Sequence, residues 1–169
     1  MTLIRTAGVA DTEAIEQVRS RSWRAAYAGL IPQVLIDAAT GPEALERRRA
    51  SFTEHPEVHT LLASTDAGDP IGMAAYGPER DLPTSPKGVE LYSLYVVPEH
   101  WSAKVGRALM DRVITDTRAA GNDLLVLWVL DTNERARRFY ERAGFAPGEP
   151  ATRTVYGRTI DEVRYARGL

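Results

Sequence analysis

The stretch 89–130 constrains the fold more than any other part of the chain. It opens with VELYSLYVV, rich in β-branched and aromatic side chains, and stops at Pro98, which has no N–H to give to a ladder. Over 103–119 the apolar residues Val105, Leu109, Met110, Val113 and Ile114 recur at helical spacing, and Gly121-Asn122 supplies a stop. LLVLWVL, residues 124–130, is apolar at every position, so both of its faces need cover. Strand, helix and strand in that order form a right-handed crossover. The spacing therefore predicts strands 89–97 and 124–130 as parallel neighbours.

The flanking sequence supplies the rest of a sheet. Residues 2–6 read as a short strand, and Asp11 as the cap of a helix with Glu13 in its first turn. Ile15, Val18, Ser22 and Ala25 or Ala26 share the inner face of that helix, which fades near Gly29 and Pro32. A second helical region runs over 32–52, interrupted at Gly41-Pro42. Segments 58–65 and 70–77 read as strands joined by a turn at 66–69. The segment 78–88, with Pro78, Pro83, Pro86 and Gly88, reads as a loop. Asn133 is placed to cap a last helix with Ala136, Phe139, Tyr140 and Ala143 as its inner stripe. Gly144 suits a left-handed stop, Phe145 closes it, and 146–169 reads as a hairpin around Gly157. The order predicts an α/β (α+β) fold: a mixed, mostly antiparallel sheet of about six to seven strands with helices on both faces. No repeat or linker divides the chain, so one domain over 1–169 is expected.

Composition removes several kinds of chemistry. There is no cysteine, which excludes thiol nucleophiles, disulfides and thiolate metal sites. His55 and His59 are four apart, but Pro56 argues against a helix presenting both to a metal, and none is expected. A formal net charge of −2 gives no case for a nucleic-acid partner, and Arg47-Arg48-Arg49 reads as the solvated face of a helix. No apolar run is long enough to cross a bilayer, and residues 1–10 show no secretory pattern. No membrane role and a cytoplasmic location are the expectation. Lys87 and Lys104 are the sole lysines beside many arginines, a bias that suggests a GC-rich bacterial genome.

The strand–loop–helix at 91–114 is where an anion could bind. Helix N-termini carry unpaired N–H groups and partial positive charge, both useful to a pyrophosphate. The string LYSLYVVPEHW…VGRALM resembles the acetyl-CoA-binding core of the GNAT acetyltransferases. LWVLDTNERARRFYERAGF (127–145) and RSWRAAYAGLIP (21–32) resemble two further segments of that family, in the family's order. The resemblance implies acetyl-CoA as co-substrate, with Leu94, Tyr95 and Val97 along its pantetheine arm. It places the phosphates over Ser102, Ala103, Lys104, Val105, Gly106 and Arg107, with Asn133 near the cofactor. It also implies Tyr140 as the acid that protonates the departing thiolate.

The family's loop pattern, Q/R-x-x-G-x-G/A, is kept only at Gly106; Trp101 and Lys104 stand at its first two positions. Lys104 either reaches a phosphate with its ammonium or crowds the loop. An attacking amine must first lose a proton, and Glu90, on the strand beside the thioester, is the candidate relay. Its alternative is an exposed strand residue. Trp23 and Tyr27, one helical turn apart, line an acceptor pocket or simply pack. There is no Gly-x-Ser-x-Gly elbow, so direct transfer is expected. The expected acceptor is a small-molecule amine, a protein N-terminus or a lysine, and a homodimer is compatible with the family. A non-catalytic acyl-CoA-binding or interaction module with a degenerate phosphate loop is the alternative function.

Overall fold

The computed structural model describes residues 2–80, 87–155 and 157–169; the middle of the expected loop 78–88 lies outside them. Among the described residues, seven strands form one sheet: β1 (Leu3–Thr6), β2 (His59–Ser64), β3 (Pro70–Pro78), β4 (Gly88–Val96), β5 (Leu124–Leu130), β6 (Ala146–Val155) and β7 (Arg158–Gly168). Their order across the sheet is β1-β2-β3-β4-β5-β7-β6. Every pairing is antiparallel except β4 with β5. That single parallel pair is the one the crossover dictates.

Helices α1 (Thr12–Ala26), α2 (Gln33–Thr40), α3 (Ala44–Glu54), α4 (Val105–Ala119) and α5 (Glu134–Arg142) cover the two faces. The apolar stripe of α4 is buried as its spacing requires, with Leu109, Met110 and Val113 fully enclosed. Gly72 on β3 makes its close approach possible, because a Cβ there would lie 3.0 Å from both Leu109 and Val105. No described helix is long and apolar enough to cross a membrane.

Local stops fall where their chemistry puts them. Asn133 accepts from the Ala136 N–H at 3.1 Å and caps α5. Gly144 at φ +86 ends it, while the Phe145 N–H bonds the Tyr140 carbonyl at 3.1 Å. Asp11 differs from expectation. Its carboxylate is taken by the Arg5 guanidinium (2.5 and 2.8 Å) and the Gly8 N–H (3.0 Å), and makes no cap bond to α1. The ion pair outcompetes the cap and holds the Asp11 carboxyl down at about 2. The inner face of α1 is also wider than its apolar residues suggest. Glu16 and Arg19 are buried there, with Arg19 donating to Glu16 (3.1 Å) and to the Ala39 carbonyl (2.6 Å), while Ala25 is exposed.

One irregularity shapes the functional region. β4 and β5 pair only from Gly88↔Leu124 to Leu91↔Leu127. Beyond that point β4 continues on β3, and β5 continues on β7. The register across β3 jumps from Leu91↔Tyr76 to Ser93↔Ala75, so Tyr92 is a bulge residue with no opposite number. The bulge turns β4 away from β5, and the two parallel strands part like a V. Each strand then offers one edge of backbone polar groups to the gap.

Candidate active site

The V opens into a cavity of about 830 Å3, walled by β4, β5, the end of α1 and the starts of α4 and α5. Its two ends differ in chemistry.

At one end lies the β4–α4 loop. Ser102 (φ 68) and Lys104 (φ 64) both adopt the left-handed conformation, and Lys104 is the residue from which α4 starts. For side chains with a Cβ this costs roughly 1–2 kcal/mol each. Here is the physical reason a glycine suits the Lys104 position. The first turn of α4, at Val105, Gly106 and Arg107, faces the cavity with N–H groups that have no partner within the helix.

Trp101 fastens this loop. Its indole N–H donates to the Val96 carbonyl at 2.7 Å. Arg135, from the first turn of α5, lays its guanidinium 3.4 Å from the centroid of the Trp101 ring. Desolvation pulls the Arg135 pKa down, which marks a cation held partly out of water. Arg107 and Arg138 also line the cavity but are engaged by Asp111 (2.9 Å) and Glu134 (2.6 Å). Lys104 lines the cavity as well, so with Arg135 this end suits a polyanion.

The other end is phenolic. Tyr27, Tyr95 and Tyr140 border it together with Ser22, Trp128 and Glu162. Tyr140 packs edge-on to Phe139 (5.3 Å) and Phe145 (5.9 Å), and burial pushes its hydroxyl well above the ordinary tyrosine range. Burial does the same to Tyr27, reinforced by the Tyr95 hydroxyl and then by Tyr140 and Glu162. Both phenols therefore stay protonated through neutral pH. The Ser22 hydroxyl is buried at this end without a hydrogen-bond partner among the described residues.

Most of the residues singled out by sequence meet in this cavity: Leu94, Tyr95, Ser102, Lys104, Val105, Gly106, Arg107, Asn133, Tyr140 and Tyr27. Four do not reach its wall. Val97 is 1% exposed, and its N–H bonds the Ile71 carbonyl at 3.0 Å. The Ala103 N–H turns back to the His100 carbonyl. Trp23 stands behind Tyr27, edge-on at 4.8 Å, with Arg19 over its other side. Glu90 is only 1% exposed, so it is not an exposed strand residue. Its carboxylate accepts from the Arg80 N–H (3.0 Å) and guanidinium (3.1 Å). Trp128, Arg135 and Glu162 line the cavity and had not been singled out. Trp128 carried one faint signal, as the lone aromatic in an otherwise aliphatic strand.

Residues 15–145 match the model of the acetyltransferase (GNAT) family, which is well over half of the chain. A Mycobacterium tuberculosis protein described as a probable N-acetyltransferase is 24% identical over 84% of this chain and 78% of its own length. A mycothiol acetyltransferase of Propionibacterium freudenreichii is 33% identical over 64% of this chain, which spans only 44% of that relative. Among solved structures, the PaiA N-acetyltransferase of Thermoplasma acidophilum in complex with coenzyme A superposes with a TM-score of 0.78. It is 20% identical and covers 100% of this chain and 99% of its own.

Proposed function

The chain belongs to the GNAT family of acetyltransferases, and from that premise we propose that it moves an acetyl group directly from acetyl-CoA to an amine of a small molecule. The acetyl donor is acetyl-CoA, which supplies an activated thioester. The observation that carries the reading is the two-ended cavity in the V between β4 and β5. A cationic loop stands at one end and a protonated phenol at the other, as a phosphate-bearing thioester and its departing sulfur require.

The α4 N-terminus, Lys104 and Arg135 hold the phosphates; Trp101 fixes the loop and orients Arg135. The free backbone edge of β4 around Leu94 and Tyr95 takes the amide-bearing arm. Tyr140 donates a proton to the sulfur. Its raised pKa keeps that proton in place until a thiolate develops beside it. An alkylamine starts with a pKa near ~10.4, so its neutral form costs about 4–5 kcal/mol at pH 7. Transfer then runs by direct attack, since the chain has neither a cysteine nor a Gly-x-Ser-x-Gly elbow to carry an acyl group. Glu90 serves as scaffold in this reading, anchoring Arg80 beneath the bulge. A small-molecule acceptor is favoured because a relative named for mycothiol is 33% identical over 64% of this chain.

Two measurements test the reading. Calorimetric titration with acetyl-CoA should show saturable binding, and absence of binding at millimolar ligand would overturn it. A thiol-trapping assay with a panel of amines should then show CoA release that depends on the amine. Binding without release would favour the alternative, an acyl-CoA-binding module, to which the strained Ser102 and Lys104 lend some support.

A further inference from the structure

At the phenolic end of the cavity an arginine from the edge strand lies against an aromatic ring and a carboxylate. Leu130 pairs with Glu162 and Trp128 with Arg164, so these four side chains share one face of the sheet. β6 adds Arg153 to the same face, two residues along from Ala151, the partner of Glu162. The Arg153 guanidinium lies 5.3 Å from the centroid of Trp128, and its Nε is 3.5 Å from the Glu162 carboxylate. Trp128 and Glu162 both line the cavity, while Arg153 reaches them from the edge strand. An aromatic face and a carboxylate thus hold a side-chain cation at the border of the space bounded by Tyr27, Tyr95 and Tyr140. Tyr27, Tyr140 and Glu162 line the same cavity.

We propose, building on the acetyltransferase reading above, that Trp128 and Glu162 form the binding seat for the acceptor's ammonium, that Arg153 occupies this seat in the resting protein, and that Glu162 takes the ammonium's first proton. The chemistry of the pair selects a cationic primary amine over a neutral or anionic acceptor: the ring face attracts positive charge and the carboxylate accepts N–H bonds from it. A compact ammonium can enter between ring and carboxylate and release Arg153, whose stem remains fixed on β6. The balance is then complete. The nitrogen gives one proton to Glu162, its freed lone pair forms the C–N bond as the thioester C–S bond breaks, and its second proton ends on the departing sulfur by way of the Tyr140 hydroxyl. Glu162 returns its proton to solvent.

The signs of three substitutions separate this arrangement from ordinary packing. n-Butylammonium is the probe, 1-butanol its neutral counterpart, and saturation-transfer NMR the readout, each run with and without acetyl-CoA. The wild type should bind the ammonium about tenfold or more tighter than the alcohol. Glu162→Gln, which keeps the shape and removes the charge, should erase that preference and raise the KM for amine while acetyl-CoA binding stays within about twofold. Trp128→Leu should weaken the ammonium in the same sense. Arg153→Met, which keeps an apolar stem and removes the competitor, should tighten ammonium binding by roughly three- to tenfold. Equal binding of ammonium and alcohol to the wild type would overturn the proposal, as would weaker ammonium binding in Arg153→Met. Failure of acetyl-CoA to bind would instead sink the acetyltransferase reading, while the ammonium titration would still report on the seat.

Discussion

On the β4–α4 side of the cleft, the groups suited to phosphate come mainly from one continuous run, 96–107, and the backbone does most of the work. Left-handed turns at Ser102 and Lys104 present the first N–H groups of α4, and Trp101 pins the run to Val96. On the β5–β7 side, the corresponding groups are the side chains of Trp128, Arg153 and Glu162, drawn from three strands and juxtaposed only by sheet register. The first site is local and owes its shape to conformation. The second is assembled at a distance and owes its charge to side chains. A conformational site should be sensitive to what the backbone tolerates, and an assembled site to single charges. Tyr140 lines the same cavity as both groups and should matter to the chemistry whichever side is altered.

The largest effect should come from that shared position. Tyr140→Phe removes only a hydroxyl from a ring packed against Phe139 and Phe145, so folding and acetyl-CoA affinity should barely change. Turnover should fall by roughly ten- to a thousandfold, as expected for one acid–base group. The wild-type rate should also show no loss attributable to Tyr140 until alkaline pH, because burial raises its pKa. Unchanged single-turnover rates in Tyr140→Phe would reduce the residue to a packing aromatic.

Lys104→Ala probes the phosphate side by charge alone. It should weaken CoA binding about five- to a hundredfold, the range for one partly exposed charge-assisted contact. The loss should shrink as salt rises, since ions screen the wild-type contact. Tighter binding after the substitution would mean that the side chain crowds the loop.

Glu90→Gln probes the hinge of the V. The variant loses a buried carboxylate that bonds both the N–H and the guanidinium of Arg80, and should lower unfolding stability by about 1–3 kcal/mol. Turnover per folded molecule should change less than about threefold. A large loss of turnover with intact stability would return Glu90 to the proton relay that its strand position suggested.

The same contrast explains what could be read in advance. The strand–helix–strand unit, the stops at Gly121 and Gly144, and the Asn133 cap follow from local periodicity and local backbone chemistry, and the parallel β4–β5 pair follows from the crossover. The turn from β4 into α4 was legible because its determinants are contiguous. Asp11 misled because a partner six residues away, Arg5, took its carboxylate from the helix. Glu90 was placed on the correct strand, but its environment depends on Arg80 across a loop. Glu162 and Arg153 were silent because alternating polar residues on a terminal hairpin look alike until the register with β5 is known. Trp128 gave only the faint signal of a lone aromatic: in a strand apolar at every position, nothing else shows which residue faces a gap.

The smallest expected effect is also the most direct test of the conformational half of this contrast. Lys104 sits at φ 64 and Ser102 at φ 68, in a region that penalises any residue with a Cβ. Lys104→Gly should remove that penalty, offset in part by the greater entropy of glycine in the unfolded chain. The net gain should be about 1 kcal/mol or less, an upward Tm shift of roughly 2–4 °C at most for a chain of this length. Lys104→Ala keeps the Cβ and should show no such gain, so the difference between the two variants isolates backbone strain from charge. Ser102→Gly should behave like Lys104→Gly in stability yet leave the salt dependence of CoA binding untouched, because no charge is lost. Should Lys104→Gly prove no more stable than Lys104→Ala in paired thermal melts, the loop is not under conformational strain. The phosphate end would then depend on side-chain charge as fully as the seat formed by Trp128 and Glu162.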